Sequence, residues 1–279
     1  MQRILSTELA RHEKETVTVA GWVHRRRLLK SVAFLILRDA GGLIQVVVEP
    51  ELEVAREESV VEVTATVTAN PAAPGGLELT SAEIRVLSAV DVPLPVELHR
   101  PALTATLPTQ LDHAALALRH PTRAAALRMS AAATAGFRAT LAAQRFVEIH
   151  TPKIVASATE SGANVFQLDY FGRPAYLAQS PQFYKQLMVG VFERVYEVGP
   201  VFRAEPSDTA RHLTQFTSLD AELGFIADHR DVMTVLTSVL AGMAAAVEPW
   251  VALEVPAEIP AVHFAEALKI GRASCRERV

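Results

Sequence analysis

Cysteine is almost missing: one residue in 279, Cys275. A framework of internal disulfides is therefore excluded, and the usage suits a reducing compartment, so a cytoplasmic protein is expected. No apolar run approaches eighteen residues, so no membrane span is expected. The N-terminus lacks the basic-then-apolar pattern of a secretion signal. Nor does one sign of charge prevail, since the formal net charge is −4. A nucleic-acid partner would have to meet a local basic patch and not a generally basic surface. What is present in quantity is hydrophobic residues, 50 % of the chain. They suffice for a substantial core, in one large domain or two ordinary ones.

Residues 1–100 read as β-rich. Segments 16–23, 33–39, 43–48 and 60–67 have the composition of strands, and 77–80 with 84–87 reads as one bent strand. Ala40-Gly41-Gly42 is a tight turn, residues 70–76 a loop, and 51–58 a short helix. About five short strands in this length fit a small OB-fold barrel, an architecture that binds oligonucleotides. His24-Arg25-Arg26-Arg27-Leu28-Leu29-Lys30 is expected as a loop between the first two strands. Arg and Lys attract backbone phosphates, and unstacked bases pack on aromatic faces. Phe34 is a candidate for stacking and Gln45 for a base edge, although Phe34 reads equally well as core.

Val92-Pro93-Leu94-Pro95 and Arg100-Pro101 break the pattern and mark a boundary. Segment 101–120 is expected as a linker holding a short helix over 109–119. Pro121 opens an Ala-rich helix to Gln144, with Leu127, Ala131, Thr134, Phe137 and Leu141 as its apolar stripe. A strand, 146–152, follows and ends in Pro152.

Between Ile154 and Gln186 the polar residues exceed what a core requires. Ala158-Thr159-Glu160-Ser161-Gly162 is a small-residue loop with one carboxylate, suited to a lid. Tyr176 to Gln186 passes from strand to helix, with Ser180 as cap, Pro181 at the first position, and Gln182 and Lys185 on one face. An amino-acid site needs an acceptor for the ammonium group, which Glu160 supplies. It needs a cation for a side-chain carboxylate, which Lys185 supplies, and Gln182 serves either end. Arg194 to Phe225 reads as strand, loop, strand, carrying Phe202-Arg203-Ala204-Glu205, then Arg211-His212-Leu213, then Glu222. An Arg fixed on a strand suits a phosphate through two parallel hydrogen bonds. Alone, Arg-x-Glu describes an ordinary surface hairpin.

The whole pattern is more specific than its parts. It resembles motif 2 of class II aminoacyl-tRNA synthetases, and the long helix, strand and Pro152 resemble motif 1. Gly21-Trp22-Val23, the basic stretch and residues 34–39 look like the anticodon-binding domain of the aspartyl, asparaginyl and lysyl group. Ala-Thr-Glu-Ser-Gly, Ser-Pro-Gln-Phe-Tyr-Lys-Gln and Phe-Arg-Ala-Glu with Arg-His-Leu resemble the archaeal-type aspartyl-tRNA synthetases, over residues 1 to about 269. The resemblance implies an α+β multidomain chain. Residues 1–100 form an OB-fold anticodon-binding barrel. Residues 121–269 form the N-terminal part of a class II antiparallel β-sheet domain with flanking helices.

It also implies a homodimer through motif 1, and activation of L-aspartate by ATP followed by transfer to tRNA(Asp). Arg203 would stabilise charge at phosphorus and touch aspartate. Arg203, Glu205, Arg211, His212 and Leu213 would hold ATP, with Glu205 near adenine, its ribose or the tRNA acceptor end. His24, Arg25, Arg26, Arg27, Phe34 and Gln45 would meet the anticodon. Strict enzymes of this type carry a bulky aromatic where this chain has His24, and a Lys where it has Pro74-Gly75-Gly76. Their absence implies that tRNA(Asn) is charged as well. Mg²⁺ is expected with ATP, but no metal-ligand cluster is visible. Asparaginyl relatives share motif 2 but lack the Lys at position 185.

Two departures stand out. Nothing matches the third motif of the class, and 270–279 reads as a non-native, adapter-derived tail. The chain is accordingly expected to be an N-terminal fragment without activity of its own. A non-catalytic tRNA-binding paralogue is the alternative. Intact Glu160, Gln182, Lys185, Arg203 and Arg211 weigh against it.

Overall fold

Alternating Val and Leu residues build the first unit, Met1–Ala124. In the computed structural model, which describes residues 2–29, 32–50, 55–158, 164–207, 209 and 212–269, β1 (Arg3–Ile4) lies parallel to β2 (Thr16–Leu28). Then come β3 (Ala33–Arg38), β4 (Leu43–Val48), β5 (Val60–Ala69) and β6 (Leu77–Ser88). Every second side chain points inward, giving a core that includes Val19, Val23, Leu35, Leu37, Ile44, Val46, Val61, Val63 and Leu79. The sheet order is β1-β2-β3-β4-β6-β5, and β2 also pairs with β5, which closes the barrel. The bent strand expected over 77–87 is β6, and its bend lies at Ser81, φ 52°. Gly21 is required where β2 crosses β3, because a Cβ there would run into the Arg38 carbonyl oxygen.

Three expectations change in this unit. The basic stretch is not a loop: β2 continues to Leu28 and takes His24 to Arg27 into the sheet. A bulge between Val23 and Arg25 permits this, by resetting the alternation. The short helix over 51–58 is not formed at 55–58, where Glu58 adopts φ 67°; residues 51–54 lie outside the described residues. Finally, one linker helix becomes two, α1 (Leu107–Asp112) and α2 (Ala114–Ala117), because His113 leaves the helical region at φ −111°, ψ 37°.

Helix α3 (Pro121–Ala143) opens at Pro121 and leads into the second unit, Ala125–Val279. Only the later part of its apolar stripe is core: Phe137 and Leu141 are buried, whereas Leu127 is 56 % exposed. The strand expected over 146–152 is reduced to β7 (Val147–Glu148). Next are β8 (Ile154–Val155), β9 (Gln167–Tyr170), β10 (Arg173–Leu177) and α4 (Gln182–Phe192). Then β11 (Arg194–Phe202) and β12 (Gln215–Leu223) form a long antiparallel hairpin, and α5 (His229–Val247) follows. The described strands form two three-stranded sheets, β8-β10-β9 and β12-β11-β7, the last pair parallel.

One face of the hairpin carries Tyr196, Val198, Leu219, Ala221 and Leu223 against α3 and α5. The helices touch where Gly136 meets Gly242: a Cβ on Gly136 would lie 2.7 Å from the Gly242 carbonyl oxygen. Helix α5 was not foreseen, although Asp228 and Asp231 give it a capping box. By length and a mean hydropathy of 1.4, it is also the one described helix apolar enough to cross a membrane. The Thr and Ser residues scattered through it hid that from the sequence reading. Val239 and Val247 are buried against the protein itself.

Candidate active site and nucleic-acid interface

The other face of the β11–β12 hairpin is charged. Glu197 and Asp220 are cross-strand partners, as are Val195 and Glu222. Lys185 reaches this face from α4 and is 6 % exposed. Its Nζ lies 3.1 Å from Asp220 Oδ1 and 3.4 Å from Glu222 Oε2. A lysine is affordable at that depth only with such partners. Glu197 is 3 % exposed. It accepts hydrogen bonds from Thr151 N, Thr151 Oγ1 and Lys153 Nζ, each at 2.8 Å. The segment on either side of Pro152 is thus fastened to the strand that leads to Arg203.

Arg203 stands where β11 ends. Three successive main-chain N–H groups hold it: Phe202 donates to Ala178 O at 3.0 Å, Arg203 to Thr214 O at 2.9 Å, and Ala204 to Asn164 O at 3.0 Å. Its guanidinium lies over the Phe216 ring, 5.6 Å from the centroid. Beyond it, His212 Nε2 lies 3.7 Å from Glu205 Oε2, and Thr209 Oγ1 is 2.7 Å from His212 Nδ1. Leu213 is exposed. Gln182 opens α4 one turn before Lys185; its N–H donates to Ser180 Oγ at 3.2 Å, while Pro181, not Ser180, is the cap residue. Glu160 and Arg211 lie outside the described residues. Among the described residues, no cluster of three or more His, Cys, Asp or Glu could hold a metal ion.

On the barrel, register decides which of the basic residues share a face. Arg25 is opposite Ile36, which is opposite Gln45; Arg27 is opposite Phe34, which is opposite Val47. Directly opposed residues share a face, so Arg25, Arg27, Phe34 and Gln45 stand together on the outside. Arg26 pairs with core residue Leu35 and donates from Nη2 to Pro50 O at 2.7 Å. It does not belong to the outer group. His24 is buried, with Nδ1 3.2 Å from Arg38 Nη1. Burial, with the Arg38 charge second, holds its pKa below the ordinary 6.5. Arg38 and Arg119 both bind the buried Glu58, at 2.7 and 2.6 Å. Burial alone would raise the Glu58 pKa, but hydrogen bonds from both arginines outweigh it and the net shift is downward.

Gln45 is also nearly enclosed. Its Nε2 donates to Glu78 Oε2 at 2.9 Å, and Asn70 Nδ2 donates to the same oxygen at 2.8 Å. Sequence reasoning missed Asn70 and Glu78, since nothing local marks a Glu that gathers one amide from another strand and one from the β5–β6 loop. It likewise missed Glu197 and Asp220, although their polarity within a strand was a signal.

Comparison with known proteins gives the family and the fold. The family tRNA synthetases class II (D, K and N) matches residues 106–279, and the family OB-fold nucleic acid binding domain matches 17–87. The chain is 44 % identical over 280 residues to an aspartate–tRNA(Asp/Asn) ligase of Deinococcus radiodurans, covering 97 % of this chain and 64 % of that protein. It is 46 % identical over 241 residues to the ligase of the same name from Thermus thermophilus, covering 86 % and 57 %. An asparaginyl-tRNA synthetase of Pyrococcus horikoshii, complexed with asparaginyl-adenylate, superposes with a TM-score of 0.89 at 28 % identity, covering 98 % of this chain and 68 % of that one. The chain thus spans less than two thirds of the length of these two ligases.

Proposed function

The chain belongs to the class II tRNA synthetases (D, K and N), and from that premise we propose that it serves the attachment of L-aspartate to tRNA(Asp) and tRNA(Asn). The observation that carries the choice of amino acid is the buried Lys185 ammonium. A carboxylate side chain gains from a desolvated cation, whereas an amide leaves that charge poorly matched. Asp220 and Glu222 already neutralise Lys185. In this reading aspartate displaces the longer contact, to Glu222, and Asp220 keeps the ammonium in place.

The reaction has two steps. An α-carboxylate oxygen of aspartate attacks the α-phosphorus of ATP, and the bond to the departing pyrophosphate breaks. A ribose hydroxyl at the tRNA 3′ end then attacks the acyl carbon, releasing AMP. No side chain has to act as nucleophile. Arg203 holds phosphate oxygens and takes up charge as it develops at phosphorus, and its three-point backbone clamp supplies pre-organisation. Glu205, Arg211, His212 and Leu213 complete the nucleotide side; Glu160 and Gln182 complete the amino-acid side. Mg²⁺ would accompany ATP, held chiefly by its phosphate oxygens and water, and would neutralise charge on them.

The outer barrel face of Arg25, Arg27, Phe34 and Gln45 is assigned to the anticodon. We also propose a homodimer; an exposed apolar line on α4, Phe183, Leu187 and Val191, supports burial of further surface. A cytoplasmic enzyme fits this reading. The test is pyrophosphate–ATP exchange by the protein expressed from its whole reading frame. Aspartate should stimulate exchange, asparagine should not, and Arg203→Ala should abolish it. Charging of both tRNAs then checks the relaxed choice. Stimulation by asparagine alone refutes the assignment.

A further inference from the structure

Between the carboxylates of the β11–β12 hairpin and Arg203 lies a pair of small residues. Gly199 of β11 is paired with Ser218 of β12. Strand alternation puts both on the face of Glu197, Asp220 and Glu222, away from the Tyr196, Val198 and Leu219 face that packs on α3 and α5. Along β12, Ser218 stands two residues, about 7 Å, from Asp220, which binds Lys185. It stands equally far, on the other side, from Phe216, over which the Arg203 guanidinium lies. Ser218 is therefore the midpoint between the residues assigned to the amino acid and those assigned to the nucleotide.

The fold does not ask for either residue. Glycine weakens a strand interior and often marks a place where a ligand comes close to the backbone. Gly199 is not at a positive φ. The nearest atoms to a Cβ placed there would be Lys153 Cε and Nζ, the far end of a flexible side chain, at 3.4 Å. Ser218 is half-buried, and its hydroxyl makes no hydrogen bond to any of the described residues. We propose that Ser218 is a substrate-positioning residue: its hydroxyl donates a hydrogen bond to the α-carboxylate of aspartate, in the space that Gly199 leaves open. This rests on the aspartate assignment above. Lys185 takes the side-chain carboxylate, so the α-carboxylate points along the face toward Arg203 and passes over the Gly199–Ser218 pair. One of its oxygens forms the bond to the α-phosphorus, while the bond from that phosphorus to pyrophosphate breaks and its electron pair leaves with pyrophosphate. The other oxygen becomes the acyl carbonyl, and this is the one that Ser218 holds. Ser218 keeps its proton throughout. Charge collects on the same oxygen when the ribose hydroxyl attacks the acyl carbon, and the donor is already in place for it.

Threonine and valine have nearly the same shape and differ by the hydroxyl, which separates hydrogen bonding from bulk. Ser218→Thr keeps the donor, and the open position at Gly199 leaves room for the added methyl. Ser218→Val removes the donor. Both variants are made in the protein expressed from its whole reading frame, and aspartate-dependent pyrophosphate–ATP exchange is measured. The kcat of Ser218→Val should fall about 10²-fold, as for the loss of one pre-organised donor, and that of Ser218→Thr should stay within about threefold of the unaltered protein. The KM for ATP should be unchanged in both. Ser218→Ala, which adds no bulk, should behave as Ser218→Val. Equal losses in the Thr and Val variants would mark a steric effect and overturn the proposal, and so would unimpaired exchange by the Val and Ala variants. Absence of aspartate-stimulated exchange by the unaltered protein would overturn the proposed function, and this inference with it.

Discussion

Glu197 and Asp220 face each other across the β11–β12 ladder, two carboxylates in directly opposed positions on one face of the hairpin. Like charges so placed repel. The sheet tolerates them because each has its own lysine: Lys153 at 2.8 Å from Glu197, and Lys185 at 3.1 Å from Asp220. The candidate active site is thus built on balanced pairs, and removing one member leaves its partner exposed to the others' charge.

Glu197→Gln should destabilise the protein by about 1–3 kcal/mol, since Lys153 loses its counter-charge in a partly buried position. Urea denaturation checks this through the shift in midpoint. Adding Lys153→Met to the variant should recover part of the loss. Additive losses would show that the two groups are not coupled.

Lys185→Leu should cost roughly 2–5 kcal/mol of aspartate binding in the protein expressed from its whole reading frame, as expected when a desolvated carboxylate loses its cation. Calorimetric titration with aspartate and asparagine gives the answer. An unchanged preference between the two amino acids would remove Lys185 from the site.

The three arginines of the barrel should behave differently. Arg25→Ala and Arg27→Ala should each reduce the slope of log affinity against log salt by about one, as for the loss of a phosphate contact. Arg26→Ala should leave that slope alone and lower the melting temperature, because Arg26 is bonded to Pro50 O. Filter binding over a salt series distinguishes them; equal slopes for all three variants would contradict the register-based assignment.

Acid should weaken the barrel in two windows. The folded pKa of His24 is below its unfolded value of 6.5. Its neutral form is favoured in the fold, so this stability is complete above that pH and is lost as pH falls toward the lower folded value. Arg38, Glu58, His99 and His120 face it. Glu58 is also shifted down from 4.5, so its contribution is complete above that value and is lost below it. Melting temperature against pH should therefore fall in both windows, and His24→Gln should remove only the first.

Gly136→Ala should force α3 and α5 apart, because the added Cβ would lie 2.9 Å from that of Ala246. Overpacking of this kind costs about 1–3 kcal/mol, read as a lower denaturation midpoint.

The barrel was legible because its core strands alternate: Val61, Val63, Ala65 and Val67 could be taken straight from β5. Where alternation breaks, reading failed. The bulge after Val23 turned an apparent basic loop into strand, and with it separated Arg26 from Arg25 and Arg27. Motif residues such as Arg203 and Lys185 were visible by type and spacing. Their supports were not, because Asp220, Glu197 and Glu78 act through residues 35, 44 and 33 positions away, respectively. A single sequence carries no local mark of such pairings.

The clamp at Arg203 is made from carbonyl oxygens of Ala178, Thr214 and Asn164. Every amino acid has that oxygen, so the clamp is blind to side-chain identity. Drift at Asn164 and Thr214, both exposed, can change the surface beside Arg203 while the ties to it remain, whereas Ala178, 1 % exposed, has no room for a larger side chain. For an engineer seeking a different amino acid or nucleotide, the two exposed positions are the places to diversify first. Proline at Ala204 is the change to avoid, because it alone deletes the N–H on which the third tie depends.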